Sequence, residues 1–395
     1  MGINETVVQF HKRKEIKMFL SGEKFFETSQ LYKHRQKMKL PKQSGTPWLN
    51  DRTIFLTKTG SQAYGTSLPT SDLDIRGIAV APKEFYHGFV KKFEQAIFKE
   101  PDAVVYELQK FMDLAAKANP SILEMLWTDP EDHLKVTSSA QKLLDNRDLF
   151  LSKKVRYTFL GYAMSQLKRI KTHKKWLLNP PKKQPKRSDF DLPKRKPLPR
   201  EQMGALNSLI QRKLDSWQID WEIFEINERR KFKEELQEIL EEMQLGKGEQ
   251  QFSAAARVIG IDENFVQLLM RERGYADAKK NWKNYQNWKL NRNKKRAALE
   301  AAFGYDAKHA MHLVRLCRMG TEILETGIVR VRRPDAEELL EIRSGAWPYE
   351  KLINWVEKQE DKFAELYKTS DLPNKPNRQK LDKLCCEIVG EMMEK

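Results

Sequence analysis

Asp72 and Asp74 stand two residues apart in the segment SDLDIRGIAV, residues 71–80, and carboxylates at that spacing can share a cation. On an extended strand, residues two apart face the same side, so Asp72 and Asp74 point together while Leu73 and Ile75 turn away. Two such carboxylates repel, and each raises the other's pKa unless a positive charge lies between them. A hard divalent ion such as Mg2+, which takes oxygen ligands and also grips phosphates, resolves that conflict. Upstream, Gly60-Ser61 interrupts an apolar run, and glycine lets a backbone pack close against a phosphate. Ser61 to Gly65 reads as the opening of a short helix whose free N–H groups would meet a triphosphate. Gly-Ser, a loop and Asp-x-Asp together describe a metal–nucleotide site. For either aspartate alone, the plainer reading is a turn residue that hydrogen-bonds the backbone.

A second constellation lies in YDAKHAMHLVRLCR, residues 305–318. On a helix Lys308, His312 and Arg315 fall at i, i+4 and i+7 and share a face, while Ala310, Leu313, Val314 and Cys317 can pack inward. Clustered cations make sense if an anion completes the face. A basic surface helix is the alternative for any one of these residues.

The first block resembles the DNA polymerase β nucleotidyltransferase superfamily, whose signature is Gly-Ser followed by a paired carboxylate on the next strand. The fuller pattern, Gly60-Ser61-x-Ala63-Tyr64-Gly65 with Ser71-Asp72-x-Asp74-x-Arg76-Gly77, is similar to its RlaP-type branch, associated with RNA repair. Asn119-Pro120-x-x-Leu123-Glu124 and Lys308-His309-x-x-His312-x-x-Arg315 resemble further blocks of that branch. The resemblance implies transfer of a nucleoside monophosphate from an NTP to a hydroxyl acceptor, an RNA end above all. A protein or small-molecule acceptor and an idle RNA-binding module are the alternatives. It implies Mg2+, or Mn2+, as a pair of ions. Asp72 and Asp74 would hold the metal on the triphosphate, and Asp102, in Asp102-Ala-Val-Val, would be the third carboxylate, with Glu107 as runner-up. Gly60 and Ser61 would take the triphosphate tail. Lys308, His312 and Arg315 would neutralise it or grip the acceptor. Arg76, on the face of the aspartates, is a ligand contact or an ion-pair partner of Asp74. The Asn-Pro block is expected to be a structural helix corner.

These residues need a scaffold. Thr53-Ile-Phe-Leu-Thr57, the stretch from Asp72 to Val80, and Asp102 to Glu107 read as strands. A helix follows from Leu108 to Ala118, and from Phe150 the periodicity stays helical. The expected class is α+β: a small mixed sheet with helices on one side, followed by a largely helical C-terminal region. The expected domains are a helical arm at 1–50, a nucleotidyltransferase domain at 51–145 and a helical domain at 146–395. The last includes a basic Pro-rich connector at about 171–200, which is extended chain because proline bars helix. Helices are also expected at Glu5–Phe19, Lys24–Met38 and within Glu201–Leu245, a helical hairpin at Phe252–Arg273, and a helix end and turn at Gly320–Gly327.

The 395 residues carry a net charge of +17, which favours polyanions such as RNA. Trp176 and Phe190 beside lysines, and Trp282, Tyr285 and Trp288, suit base stacking or plain packing equally. With nine Trp, 19 Phe and 11 Tyr, the chain is too aromatic for a disordered protein. No apolar run approaches the length of a membrane span, and the first ten residues lack the pattern of a signal peptide. Cys317, Cys385 and Cys386 show no zinc spacing. A reduced, cytoplasmic protein is expected.

Overall fold

The computed structural model describes residues 38–196, 199–216, 255–258, 260–292, 297, 300 and 302–394. The expected helices at Glu5–Phe19 and Lys24–Met38, apart from Met38 itself, and the part of Glu201–Leu245 beyond residue 216, lie outside them. The chain divides into two compact units, residues 1–174 with 295–395, and residues 175–294.

The first unit is built on a five-stranded mixed sheet in the order β3-β4-β2-β1-β5. The strands are β1 (Thr53–Thr59), β2 (Asp74–Ala79), β3 (Gln95–Phe98), β4 (Asp102–Glu107) and β5 (His133–Val136). β2 runs antiparallel to β1 and parallel to β4, which fixes Asp74 opposite Thr59 on one side and Asp102 on the other. The apolar run of β1 is buried from Thr53 to Thr57 because both faces of the sheet are covered. One face carries α2 (Leu108–Ala116) and α3 (Ser138–Asp145), with Ile54, Ile78 and Val80 beneath them. The opposite face carries Leu40, Trp48 and Leu49 over Leu56, Ile75 and Val105. Residues 38–49 close the second face.

The expected α+β class holds: the helical region after the sheet comprises, in this unit, α4 (Val155–Leu178) as far as Lys174, α5 (Ala307–Thr326), α6 (Ala336–Arg343), α7 (Tyr349–Thr369) and α8 (Arg378–Met393). α5 does not end near Gly320 as its sequence suggested but runs on to Thr326. Gly320 is a packing position. A Cβ there would lie 2.6 Å from Phe363 Cζ and 2.9 Å from Phe159 Cβ, so the missing side chain lets α4 and α7 close on the helix backbone, which outweighs the propensity cost of about 1 kcal/mol. Tyr157, in the first turn of α4, is 48 % exposed. No helix among the described residues is long and apolar enough to cross a membrane.

The second unit packs Ile210, Ala255, Ala256, Val266 and Leu269 into a small core. Its main element is one 29-residue helix, Glu263–Asn291, rather than the short hairpin that ended at Arg273 in the sequence reading. The Pro-rich segment is not wholly extended. It contains a 3-10 turn at Arg187–Phe190, anchored by an ion pair from Arg187 to Glu272. Trp176 is buried, donates to Asn281 Oδ1 at 3.0 Å and packs edge-on against Tyr285 and tilted against Trp288.

Candidate active site

The Gly-Ser turn is set by the end of β1. Gly60 has φ +64 and opens a five-residue helix, α1 (Gly60–Tyr64), closed by Gly65 in the left-handed region. A Cβ on Gly60 would collide with the Asp74 carboxylate. Backbone conformation and close approach thus both demand glycine here, and the turn is fitted to the acidic group expected beside it. Ser61 is half-buried on the first turn of α1.

Asp74 opens β2 and Asp102 opens β4, in register across the parallel pair. Side chains alternate along each strand: Ile75, Ala103 and Val105 pack into the opposite core, while Asp74 and Arg76 stay half-buried and Asp102 exposed. Arg76 spans the two acids. Its Nη1 donates to Asp102 Oδ1 at 3.1 Å, and its Nη2 lies 3.9 Å from Asp74 Oδ1. Asp72 precedes the strand in an exposed loop rather than standing on it, because β2 begins at Asp74.

Burial pushes the Asp74 carboxyl up, and the charges of Asp102 and Asp72 push the same way, against the pull of Arg76 and Lys308. That pattern brings all three proposed carboxylates and Lys308 into one electrostatic neighbourhood. Lys308 sits in the first turn of α5. Thr59, Gly60, Tyr64, Asp74, Arg76 and Glu124 contribute to the wall of a cavity of about 130 Å3.

His312 and Arg315 are placed differently. Burial, with the positive charges of Arg315 and Lys308, holds the His312 pKa down to about 3, so its ring is neutral. Arg315 is buried, donates to Glu124 Oε1 at 2.7 Å and lies 3.7 Å over the Tyr64 ring. Tyr64 in turn donates its hydroxyl to Glu124 Oε2 at 2.5 Å. Burial pushes the Tyr64 hydroxyl well above its ordinary range, against Arg315 and with Glu124, so it keeps its proton. The shared helical face of Lys308, His312 and Arg315 thus points one cation toward the carboxylates and commits another to an internal pair.

Tyr64 and Glu124 were missed as wall residues. Tyr64 stood inside the quoted motif, and Glu124 is a charge inside the apolar run Ile122-Leu-Glu-Met-Leu126, a signal for a buried ionic partner. Asn119 and Pro120 do make the expected corner: Pro120 is the first residue of a short helix, Pro120–Leu123, directly before Glu124. Glu107 lies at the other end of β4 and caps α2, accepting from Gln109 and Lys110 N–H at 2.7 and 3.1 Å and from the Tyr86 hydroxyl. Its oxygens are occupied there.

Residues 27–180 match the family described as the RNA repair pathway DNA polymerase beta family, RlaP. Through this stretch the chain resembles RlaP-type proteins. The RlaP match covers β1 to β5 and all of α4, and so contains Gly60, Asp74, Asp102 and Glu124; α5 with its cations lies beyond it. That family is of the DNA polymerase β type. An uncharacterized 38.9 kDa protein of the nrdC-mobD intergenic region of enterobacteria phage T4 is 32% identical over 127 residues, 29% of this chain and 38% of that protein. The uncharacterized protein YcgL of Bacillus subtilis (strain 168) is 29% identical over 122 residues, 30% of this chain and 46% of its own length. The chain thus spans less than half the length of these curated relatives. No solved structure matches it.

The family implies a divalent metal, and the donor set fits one. Asp74 and Asp102 offer hard carboxylate oxygens from adjacent strand starts, and a guanidinium already spans them. Oxygen donors of this kind suit Mg2+ or Mn2+.

Proposed function

We propose that the protein is a metal-dependent nucleotidyltransferase that moves a nucleoside monophosphate from an NTP to a hydroxyl at an RNA end. The observation that carries this is the register of Asp74 with Asp102, beside a glycine turn whose Cβ-free surface faces Asp74. Asp72, Asp74 and Asp102 would hold Mg2+, as one or two ions. A bound metal supplies Lewis-acid stabilisation of phosphoryl oxygens and activation of the acceptor hydroxyl. Gly60 and Ser61 would receive the triphosphate tail, with Lys308 and Arg76 as counter-charges to it. Arg315 and His312 would act indirectly, Arg315 by holding Glu124 and Tyr64 in the wall of the cavity. The +17 net charge supports a polyanionic acceptor.

The test is incubation of the full chain with Mg2+, each α-labelled NTP in turn and total cellular RNA, resolved on a denaturing gel. Labelled RNA that disappears with Asp72→Asn/Asp74→Asn supports the reading. Label on protein, or RNA labelling that survives the double substitution, overturns it.

A further inference from the structure

The arginine-rich stretch Ile328-Val-Arg-Val-Arg-Arg333 leaves the end of α5 and runs as an extended strap to the start of α6. Its side chains alternate as they do on a strand. Val329, Val331 and Arg333 are buried, while Arg330 and Arg332 are exposed. Val331 reaches the wall of the cavity that Gly60, Tyr64 and Asp74 also line.

The last two residues of the strap fasten it in three directions. The Arg333 backbone N–H donates to Tyr64 O at 3.1 Å, taking one of the carbonyls that a helix end leaves without an internal partner. The Arg333 guanidinium, on a side chain only 1 % exposed, donates to both Glu322 oxygens at 2.7 Å and to Asp335 Oδ1 at 2.8 Å. Glu322 belongs to α5 and Asp335 stands directly before α6, so this charged fork ties the strap to two helices. Arg332 turns the other way and donates to Asp129 Oδ2 at 2.7 Å and Asp132 Oδ2 at 3.0 Å, just before β5. Its stem passes over the end of α1, where a Cβ on Gly65 would lie 3.9 Å from Arg332 Cγ.

A helix as short as α1 does not hold its own place, because isolated helices below about 12 residues are marginal in water. Packing must decide where its first N–H groups point. Glu124 and Arg315 hold the Tyr64 side chain, and Arg333 holds the Tyr64 carbonyl. We propose that Arg333 is a positioning residue: through the strap it fixes α1, and with it the Gly60 and Ser61 N–H groups that receive the triphosphate tail. The role toward a triphosphate rests on the nucleotidyl-transfer reading above; the link from Arg333 to α1 does not. Arg333 is buried away from any substrate and acts on binding through the turn.

The test is hydrogen exchange of the full chain without NTP, in the wild type, Arg333→Met and the milder Glu322→Gln, with the exposed Arg330→Ala as control. The Gly65 and Thr66 amides, which close α1 on the Gln62 and Ser61 oxygens, report on the turn. They should exchange at least about tenfold faster in Arg333→Met and several-fold faster in Glu322→Gln, with β1 and β2 still protected and Arg330→Ala like the wild type. Where Arg333→Met fails to fold, Glu322→Gln decides by the same criteria. Unchanged exchange at Gly65 and Thr66, or acceleration spread evenly over the sheet, overturns the link. Kinetics then separate positioning from mere structure: KM for the NTP should rise at least about tenfold in Arg333→Met while kcat stays within about threefold of the wild type. An unchanged KM beside a loosened turn overturns the positioning role. Absence of transfer by the wild-type chain overturns the reading of function instead, and the exchange result still decides the strap.

Discussion

Arg76 donates to Asp102 across 3.1 Å while its other terminal nitrogen lies 3.9 Å from Asp74, so one guanidinium spans two carboxylates that face each other in register. It is a resident counter-charge for an acidic pair that would otherwise repel. A divalent ion must share or displace it. Arg76→Ala is therefore expected to bind Mg2+ several-fold more tightly and to show a larger rise of Tm with Mg2+ than the wild type. Calorimetric titration and thermal melts check this. An unchanged Mg2+ affinity would mean that Arg76 and the ion use different oxygens.

The two candidates for the third carboxylate separate cleanly. Asp102→Asn should lower transfer by at least about 100-fold, since altering even an indirect partner of a metal ligand costs 10–100-fold. Glu107→Gln should leave transfer nearly unchanged and lower stability by about 1 kcal/mol through the weakened cap on α2. Turnover and denaturant midpoints, measured on both variants, decide between them.

The Tyr64–Glu124–Arg315 group is a buried ionic cluster. Arg315→Met strands a buried carboxylate and should cost about 3–5 kcal/mol. Adding Glu124→Leu should recover most of that loss, because the unpaired charge is gone. A double-mutant cycle by urea unfolding measures the coupling, and additive losses would show the pair to be energetically independent.

His312 gives the fold a pH dependence. Its folded pKa, about 3, lies below the ordinary value of 6.5, so the unfolded chain binds the proton first as pH falls. Stability from this group is whole above pH 6.5 and drains away between there and about 3. From pH 7 to 5 the loss is about 2 kcal/mol. His312→Gln should flatten the stability profile in that window by this amount, read from urea midpoints at a series of pH values.

Much of the sheet was legible because β1, β2 and β4 carry apolar or alternating runs with buried interiors. β3 and β5 escaped. They are four residues each, too short for a period to declare itself, and they form only because longer strands offer open edges. The placing of Gly60, Asp74 and Arg76 followed from motif spacing and strand alternation. The division of labour on α5 did not: spacing put Arg315 on one face with Lys308, but whether that face meets a cavity or a buried glutamate depends on Glu124, 191 residues away in sequence. Gly320 misled for a similar reason. Locally glycine argues for a helix end, whereas here the local preference yields to Phe159 and Phe363.

That glycine also acts at a distance. With two aromatic side chains pressed on its bare backbone, α5 can neither roll nor slide at this point without driving a ring out of place. Lys308 is twelve residues nearer the amino end, about 18 Å along the axis. The helix is in effect a rod held in a bearing, and the height at which its basic tip stands over the strand starts is set where no side chain exists. A bulkier residue at position 320 would register first as a misplaced charge at the far end, before it registered as a lost fold.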